Sequence, residues 1–390
     1  MKRVLIFSLA YYPSHVSGAE IAIKEITDRI APSDIEFSMV THRFDRSSPR
    51  EEQVGNVRVY RVGVGPSYIS KILFVPLAAW KAASLDRAQR FDASWVMMTY
   101  MLFPLALAKA LGLRGPYVLT LQDGDPYTKV FQRWFIRPLT PILDWGFRHA
   151  TRVQAISHYL ATWPPKRGYT RVVEMIPNGA SLASGEEYPQ EELDALRTSI
   201  GIKPGESVLL SVGRLTHQKA QDVVIRALAQ LPAHIRYVLV GEGEDRAKLA
   251  ALAQELGVGS RVYFAGQVDR QMTAKYRKIS DIFVLPSRSE GQGISFLSTM
   301  LAGLPVVATQ VGGIADFLYD AKRNPGRPTT GWAVDPDSPE QLAAAVEDIL
   351  AHPDIARQVA QNARQLVAER YDWDKIAPAM AERVFAPAFR

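Results

Sequence analysis

Several stretches of this 390-residue chain set charged side chains beside glycines at the ends of apolar runs. In "SVGRLTHQKAQD", Gly213 closes such a run, and Arg214 and Lys219 precede a helix expected to start near Ala220. Two cations beside the unpaired N–H groups of a helix start make an anion site. The GKS or GKT ending of a P-loop is missing. In "SEGQGISFLSTM", Glu290 stands against Gly291, Gln292 and Gly293, where a strand gives way to a helix. A carboxylate repels a phosphate, so the targets that suit it are sugar hydroxyls, which donate hydrogen bonds. A surface glutamate capping the helix is the plainer alternative.

Three further stretches carry weaker signals. Ser17 and Gly18 lie between the first apolar run and the first helix, where a glycine lets N–H groups approach a phosphate. Ser17 as a helix cap with Glu20 as its partner three positions on is an equal reading. Asp123 and Asp125 in "LTLQDGDPY" invite a Mg²⁺ or Mn²⁺ reading, but Asp-Gly-Asp-Pro is also strong turn chemistry, and the turn is preferred. Gly241 and Gly243 in "LVGEGEDRAKL" lack the third glycine of the dinucleotide fingerprint, Arg246 standing in its place. The seven histidines show no metal or triad spacing; only His15, in the Gly18 loop, is set apart from a structural default.

The elements that must position these residues alternate regularly. Short β-branched runs such as "RVLIFSL", "IEFSMVT", "YVLTLQD" and, later, "SVLLSVGR", "RYVLVGEG" and "DIFVLPS" are separated by helical segments, among them 18–30, 126–149, 219–230 and 245–256. Apolar strands followed by amphipathic helices predict parallel sheets covered on both faces. The pattern restarts after "IPNGASLASGEEYPQ", so the expectation is two doubly wound halves, with chemistry in a cleft between their strand ends. The boundaries read as 1–180, 181–368 and a terminal helix over 369–390 that packs back on the first half.

Length and composition agree with two soluble α/β domains: 47% of residues are apolar and 22% charged. The formal charge of +6 is uneven, with 23 Lys/Arg against 14 Asp/Glu before residue 181 and 23 against 26 after it. A basic first half suits an anionic partner, such as a phosphorylated acceptor or an acidic membrane surface. The basic residues are too dispersed for nucleic acid. No cysteine is present, which excludes disulfides and thiolate chemistry. The opening "MKRVLIFSLAYYPSH" reads as a buried strand, and the uncharged stretch 93–108, interrupted by Pro104, is too short to span a bilayer. "TKVFQRWFIRPLTPILDWGFRHA" could lie on an anionic membrane, although a helix covering the first sheet needs the same residues, and that reading is preferred.

Taken in order, "SGAE", "IPNG", "GRLTHQKAQD", "VGEGED", "FAGQV", "PSRSEGQG", "AGLPVVAT", "VGGIADFL" and "YDWDKIA" resemble the GT-B glycosyltransferases, in particular the large retaining family 4. The resemblance implies an α/β fold of two Rossmann-like domains facing each other across a cleft, the first for the acceptor and the second for a nucleoside diphosphate sugar. It implies that Arg214 and Lys219 neutralise the donor diphosphate and that Glu290 contacts hydroxyls of the transferred sugar. Ser17, Gly18, Gly213, Gly241, Val268, Gly291, Gln292, Gly293, Ile294 and Ser298 would line the donor, and Gln122, Asp123 and Asp125 the acceptor.

Four positions depart from the family's pattern. Ser298 occupies the place of a second glutamate that grips the ribose. Gln122 and Asp123 stand near the family's histidine, Ala220 replaces a glycine after the lysine, and Ser17-Gly18 replaces a glycine pair. The activity implied is transfer with retention, assisted by the leaving diphosphate and needing neither metal nor cofactor. The acceptor would be a glycan or lipid-linked molecule, and the location cytoplasmic, with a peripheral contact at the inner membrane face through the basic half. A binding protein that has lost turnover, or a nucleotide-sugar epimerase, is the alternative.

Overall fold

The structure, a computed structural model, describes residues 1–13, 16–180 and 187–389. His15 and most of the expected linker, residues 181–186, lie outside the described residues. The chain forms two compact units. The first comprises Met1–Asn178 with Trp373–Arg390, and the second Gly179–Asp372.

The first unit is built on an eight-stranded sheet: β1 (Lys2–Phe7), β2 (Ile35–His42), β3 (Glu51–Val54), β4 (Val57–Val62), β5 (Ala93–Met97), β6 (Tyr117–Leu121), β7 (Arg152–Ala155) and β8 (Val173–Met175). Its order is β3-β4-β2-β1-β5-β6-β7-β8. Every pairing is parallel except β3 with β4. That hairpin, turning at Gly55-Asn56, is an element the apolar pattern does not show, because β3 alternates exposed and half-buried residues and adds little to the core. Its longest helices are α1 (Gly18–Thr27), α2 (Tyr68–Ala88), α3 (Leu102–Ala110) and α4 (Thr140–His149). The single helix expected over 126–149 is interrupted. A short turn at Tyr127–Phe131 and a 3₁₀ turn at Arg137–Leu139 precede α4. Pro138 and Pro141 lack the N–H groups that a continuous helix there would require.

The second unit has a wholly parallel six-stranded sheet: β9 (Ser207–Val212), β10 (Ile235–Val240), β11 (Val262–Gly266), β12 (Ile282–Leu285), β13 (Val306–Thr309) and β14 (Trp332–Val334). The order is β11-β10-β9-β12-β13-β14. Around it lie α5 (Gln190–Ser199), α6 (Gln221–Leu228), α7 (Arg246–Glu255), α8 (Arg270–Lys278), α9 (Ile294–Leu301), α10 (Pro339–Ala351) and α11 (Pro353–Arg370). Strands such as "SVLLSV" and "IFVL" are buried almost throughout, as a sheet covered on both faces requires.

The chain ends in the first unit with α12 (Trp373–Met380) and two further helical turns. The helical spacing of Trp373, Ile376, Met380, Val384 and Phe385 corresponds to a buried face. The Phe385 ring stands 5.0 Å from Trp95 on β5 and 6.0 Å from Phe37 on β2. Arg383 and Asp374 fix the segment's polar side through Glu174 and Arg29, at 2.7 and 2.6 Å.

Candidate active site

In an open parallel sheet, ligands bind where the strand order reverses, because the loops at the carboxyl ends of the two central strands diverge there. In the second unit this point lies between β9 and β12. The loop after β9 carries Gly213, Arg214 and Lys219, and the loop after β12 carries Glu290, Gly291, Gln292 and Gly293. Residues 71 positions apart are thereby joined. Lys219 Nζ donates to Glu290 Oε2, and both side chains are largely withdrawn from solvent. The carboxylate is therefore not alone. A salt bridge neutralises it and leaves the exposed Arg214 as a cation that makes no ion pair among the described residues.

Local geometry explains how each side chain is aimed. Lys219 ends a 3₁₀ turn, His217–Lys219, and Ala220 then takes the left-handed conformation at φ +55° before α6 begins. Gln221 reaches back, its Nε2 donating to the Arg214 carbonyl at 2.9 Å. Gly241 donates its N–H to Gly266 at 2.8 Å. A Cβ on it would lie 2.1 Å from the Gly213 carbonyl oxygen, so its place is structural support beneath Gly213. Val268, in the loop after β11, packs against the core of the unit. Gly293, at φ +95°, opens α9, followed by Ile294 and then by the buried Ser298.

The pattern of charges in the sequence did not single out the residue that holds the two loops together. Arg288 grips Asp222 with two bonds of 2.9 and 2.7 Å, donates to the His217 carbonyl at 2.7 Å, and reaches Asp337 at 2.7 Å. Burial would raise the Asp222 pKa, but Arg288 more than offsets it and holds the carboxyl below its usual range. Gln218 completes the seam, its carbonyl accepting from the Arg288 N–H and its Nε2 donating to Ser289, both at 2.8 Å. Behind Glu290 the backbone of Gly312-Gly313 closes in. Gly313 N–H donates to the Glu290 carbonyl at 3.1 Å, and a Cβ on Gly312 would come within 1.9 Å of that oxygen. The only visible signal for Arg288 was its place two residues before Glu290.

In the first unit the order reverses between β1 and β5. Ser17 gives its N–H and its hydroxyl to the Glu20 carboxylate, and Gly18 begins α1, so the helix-start reading of this pair holds in the structure. At the end of β6, Gln122 and Asn178 exchange two amide bonds of 3.1 and 3.0 Å. Asp123 is buried and accepts from the Thr99 N–H and hydroxyl at 3.3 and 3.0 Å. Burial pushes its pKa up to about 6, against the opposing effect of Thr99. Thr99 itself follows Met98, which closes β5 at φ +70° and ψ 157°. That region is costly for any residue with a Cβ, and such strain gathers at functional sites. Asp125 turns away to Lys129 at 2.8 Å and Arg133 at 3.5 Å. The two carboxylates thus have separate partners, and no group of three His, Cys, Asp or Glu converges among the described residues.

Residues 193–366 match the family described as "Glycosyl transferases group 1", and residues 17–179 match the "Glycosyl transferase 4-like domain". The alpha-monoglucosyldiacylglycerol synthase of Streptococcus pneumoniae is 36% identical over 322 residues, covering 78% of this chain and 70% of its own. The chain belongs to the group 1 glycosyltransferases. An uncharacterised glycosyltransferase of Methanocaldococcus jannaschii is 28% identical over 403 residues, spanning 96% of each chain. This glycosyltransferase also shares its GT-B fold with Anabaena HepE, solved in complex with UDP-glucose. That comparison gives a TM-score of 0.79 at 20% identity and covers 99% of this chain and 100% of the other.

Two departures of this glycosyltransferase from its family now have a structural setting. Ala220, where a glycine is usual, is fully buried and left-handed, a conformation that costs a residue with a Cβ roughly 1–2 kcal/mol. Ser298, eight positions beyond Glu290, lies on α9, and its hydroxyl makes no hydrogen bond to the described residues.

Proposed function

We propose that this glycosyltransferase moves a sugar from a nucleoside diphosphate sugar to a glycan or lipid-linked acceptor, with retention of configuration and without a divalent metal. The observation that carries the reading is the meeting of Lys219 and Glu290 at the switch point of the second sheet, with Arg214, which makes no ion pair among the described residues, on the same loop as Lys219. An anion and a polyol are the two ligands that this combination suits. The name of the pneumococcal relative describes a glucosylated lipid, and the Anabaena structure holds UDP-glucose. Both support a sugar-nucleotide donor and an acceptor that includes glycolipid precursors.

In this reading the donor diphosphate takes up the charge of Arg214 and Lys219, with the backbone of Gly213 alongside. Glu290, released from Lys219, accepts hydrogen bonds from hydroxyls of the transferred sugar. Gly291, Gln292, Gly293 and Ile294 support sugar and phosphate, and Gly241 and Val268 back the nucleotide end. From the first unit, Ser17-Gly18 approaches the phosphates, while Gln122, Asp123 and Asp125 serve the acceptor. The bond between the anomeric carbon and the diphosphate oxygen breaks as the acceptor oxygen bonds to the same face. The acceptor proton passes to the departing phosphate. Charge growing on that phosphate is what the two cations stabilise, the kind of preorganised electrostatic effect worth about 3–4 kcal/mol per group. A cytoplasmic location belongs to the same proposal.

The test is thermal unfolding with UDP, GDP, ADP, CMP and dTDP, in EDTA and then in Mg²⁺. A ligand at a hundred times its Kd stabilises by about 2.7 kcal/mol. A shift from one diphosphate that is the same in EDTA supports the reading, and the anomeric configuration of the product then tests retention. A shift that needs Mg²⁺ removes metal independence; no shift from any of the five removes the donor assignment.

A further inference from the structure

The inner face of α2 buries Phe74, Ala78, Ala82 and Leu85 in the core of the first unit, as a helix on a sheet should. Its outer face should then be polar. It is not. Ile69, Ile72, Leu73, Leu77 and Trp80, at helical spacing along one side, are 69, 55, 54, 42 and 62% exposed. Tyr68 at the head of the helix meets Phe135 with ring centroids 6.3 Å apart, and next to Phe135 stands Trp134, 84% exposed. The aromatic stripe expected over 129–148 is otherwise turned inward: Phe131 and Phe147 are buried, and Trp145 stacks between Tyr117 and His149. A contiguous exposed apolar surface of this kind marks a binding face.

Charge decides what it binds. No Asp or Glu occurs between Glu52 and Asp86, or between Asp125 and Asp144, the two segments that build the face. Lys71 on α2 and Arg137 beyond Trp134 form no ion pair among the described residues, and Lys81 lies over the Tyr60 ring at 4.4 Å. Cations flanking bulky apolar residues and tryptophans are the composition of a helix that lies in the plane of an anionic bilayer. Symmetric pairing with a second copy of this chain would bring like charges together. Crossing the bilayer is ruled out for this helix by its buried side, which is committed to the sheet.

We infer that the outer face of α2, extended by Trp134, docks the protein in the headgroup region of an anionic lipid bilayer. The inference stands on this face alone and does not depend on which sugar or acceptor the enzyme uses.

Cosedimentation of the full chain with phosphatidylcholine vesicles, with and without phosphatidylglycerol, tests it. Binding is expected only with the anionic lipid. Replacing Ile72, Leu77 and Trp80 together by serine should weaken it about tenfold or more, and so should Lys71→Glu with Arg137→Glu. These side chains are exposed, so melting temperatures should match the parent. The charge-reversed variant gives an independent answer if the serine variant folds poorly. Brominated lipid should quench tryptophan emission in the parent, and less in Trp80→Phe/Trp134→Phe. Absence of binding to either vesicle, or unchanged binding by both variants, overturns the inference. So does light scattering that shows a dimer which the serine variant splits, since this would assign the face to a second copy.

Discussion

Lys219 and Glu290, from loops at the ends of two adjacent parallel strands, form a salt bridge that neither shares freely with solvent. The group proposed to hold phosphate and the group proposed to hold sugar thus neutralise each other in the free protein. In the proposed reading donor binding parts them, the diphosphate supplying the charge that lets Lys219 leave.

Removing Lys219 strands a nearly buried carboxylate and, in the proposed reading, also takes away transition-state charge stabilisation. Lys219→Ala is expected to lower turnover by about 10²-fold or more. Its melting temperature should fall as well, and Lys219→Ala/Glu290→Gln should recover part of that fall, because no unpaired carboxylate is left. Steady-state kinetics and thermal scans of the three variants check both halves. Parental turnover in Lys219→Ala would sink the assignment.

Glu290→Gln is expected to separate the two ligand functions. With its partner neutral, Lys219 is free for phosphate, so affinity for the nucleoside diphosphate should be unchanged or tighter. Turnover should drop about tenfold or more as the charge-assisted bonds to sugar hydroxyls are lost. Calorimetric titration alongside rate measurements decides; a large loss of nucleotide affinity contradicts a sugar-binding role for Glu290.

Ser298→Glu places a carboxylate where the family's second glutamate would stand. Tighter binding of the nucleoside diphosphate, by about fivefold or more, is expected if the ribose lies over this turn of α9. Unchanged or weaker affinity, measured by the same titration, would mean that the ribose is held elsewhere.

Asp123 gives a pH signature of its own. Its folded pKa of about 6 lies above the ordinary carboxyl value of 3.8, so between these the folded state holds the proton more tightly. The contribution to stability is complete below pH 3.8 and is lost as the pH rises to 6. Asp123→Asn keeps an acceptor for Thr99 without the buried charge. It should melt higher than the parent at pH 7.5, with the gap closing at pH 4.5. An equal gap at both values would show that the carboxylate is not the titrating group.

The sequence shows the site in the second unit better than the one in the first for a physical reason. Gly213, Arg214, Lys219 and Glu290 lie on short loops directly after apolar strands, so chain order alone puts them at strand ends. Their mutual pairing was hidden, since it depends on β9 and β12 being neighbours although two strands intervene in the chain. Arg288 was missed because a charged residue after a strand is commonplace until its four partners are seen. On the other side, the sequence favours a turn over a metal site at Asp123 and Asp125 but does not show their partners, which are Thr99 for the first and Lys129 for the second. The outer face of α2 escaped notice because a helix apolar on both sides reads as core, and only exposure tells the two sides apart.

The path of the chain between the units sets an order of birth. Residues 179–372 leave the ribosome as a complete unit, whereas the first unit still waits for Phe385 to cover Phe37 and Trp95. The half made first is therefore the half finished last. Until the final helical residues arrive, its sheet presents bare aromatic surface to whatever else in the cell binds such surfaces.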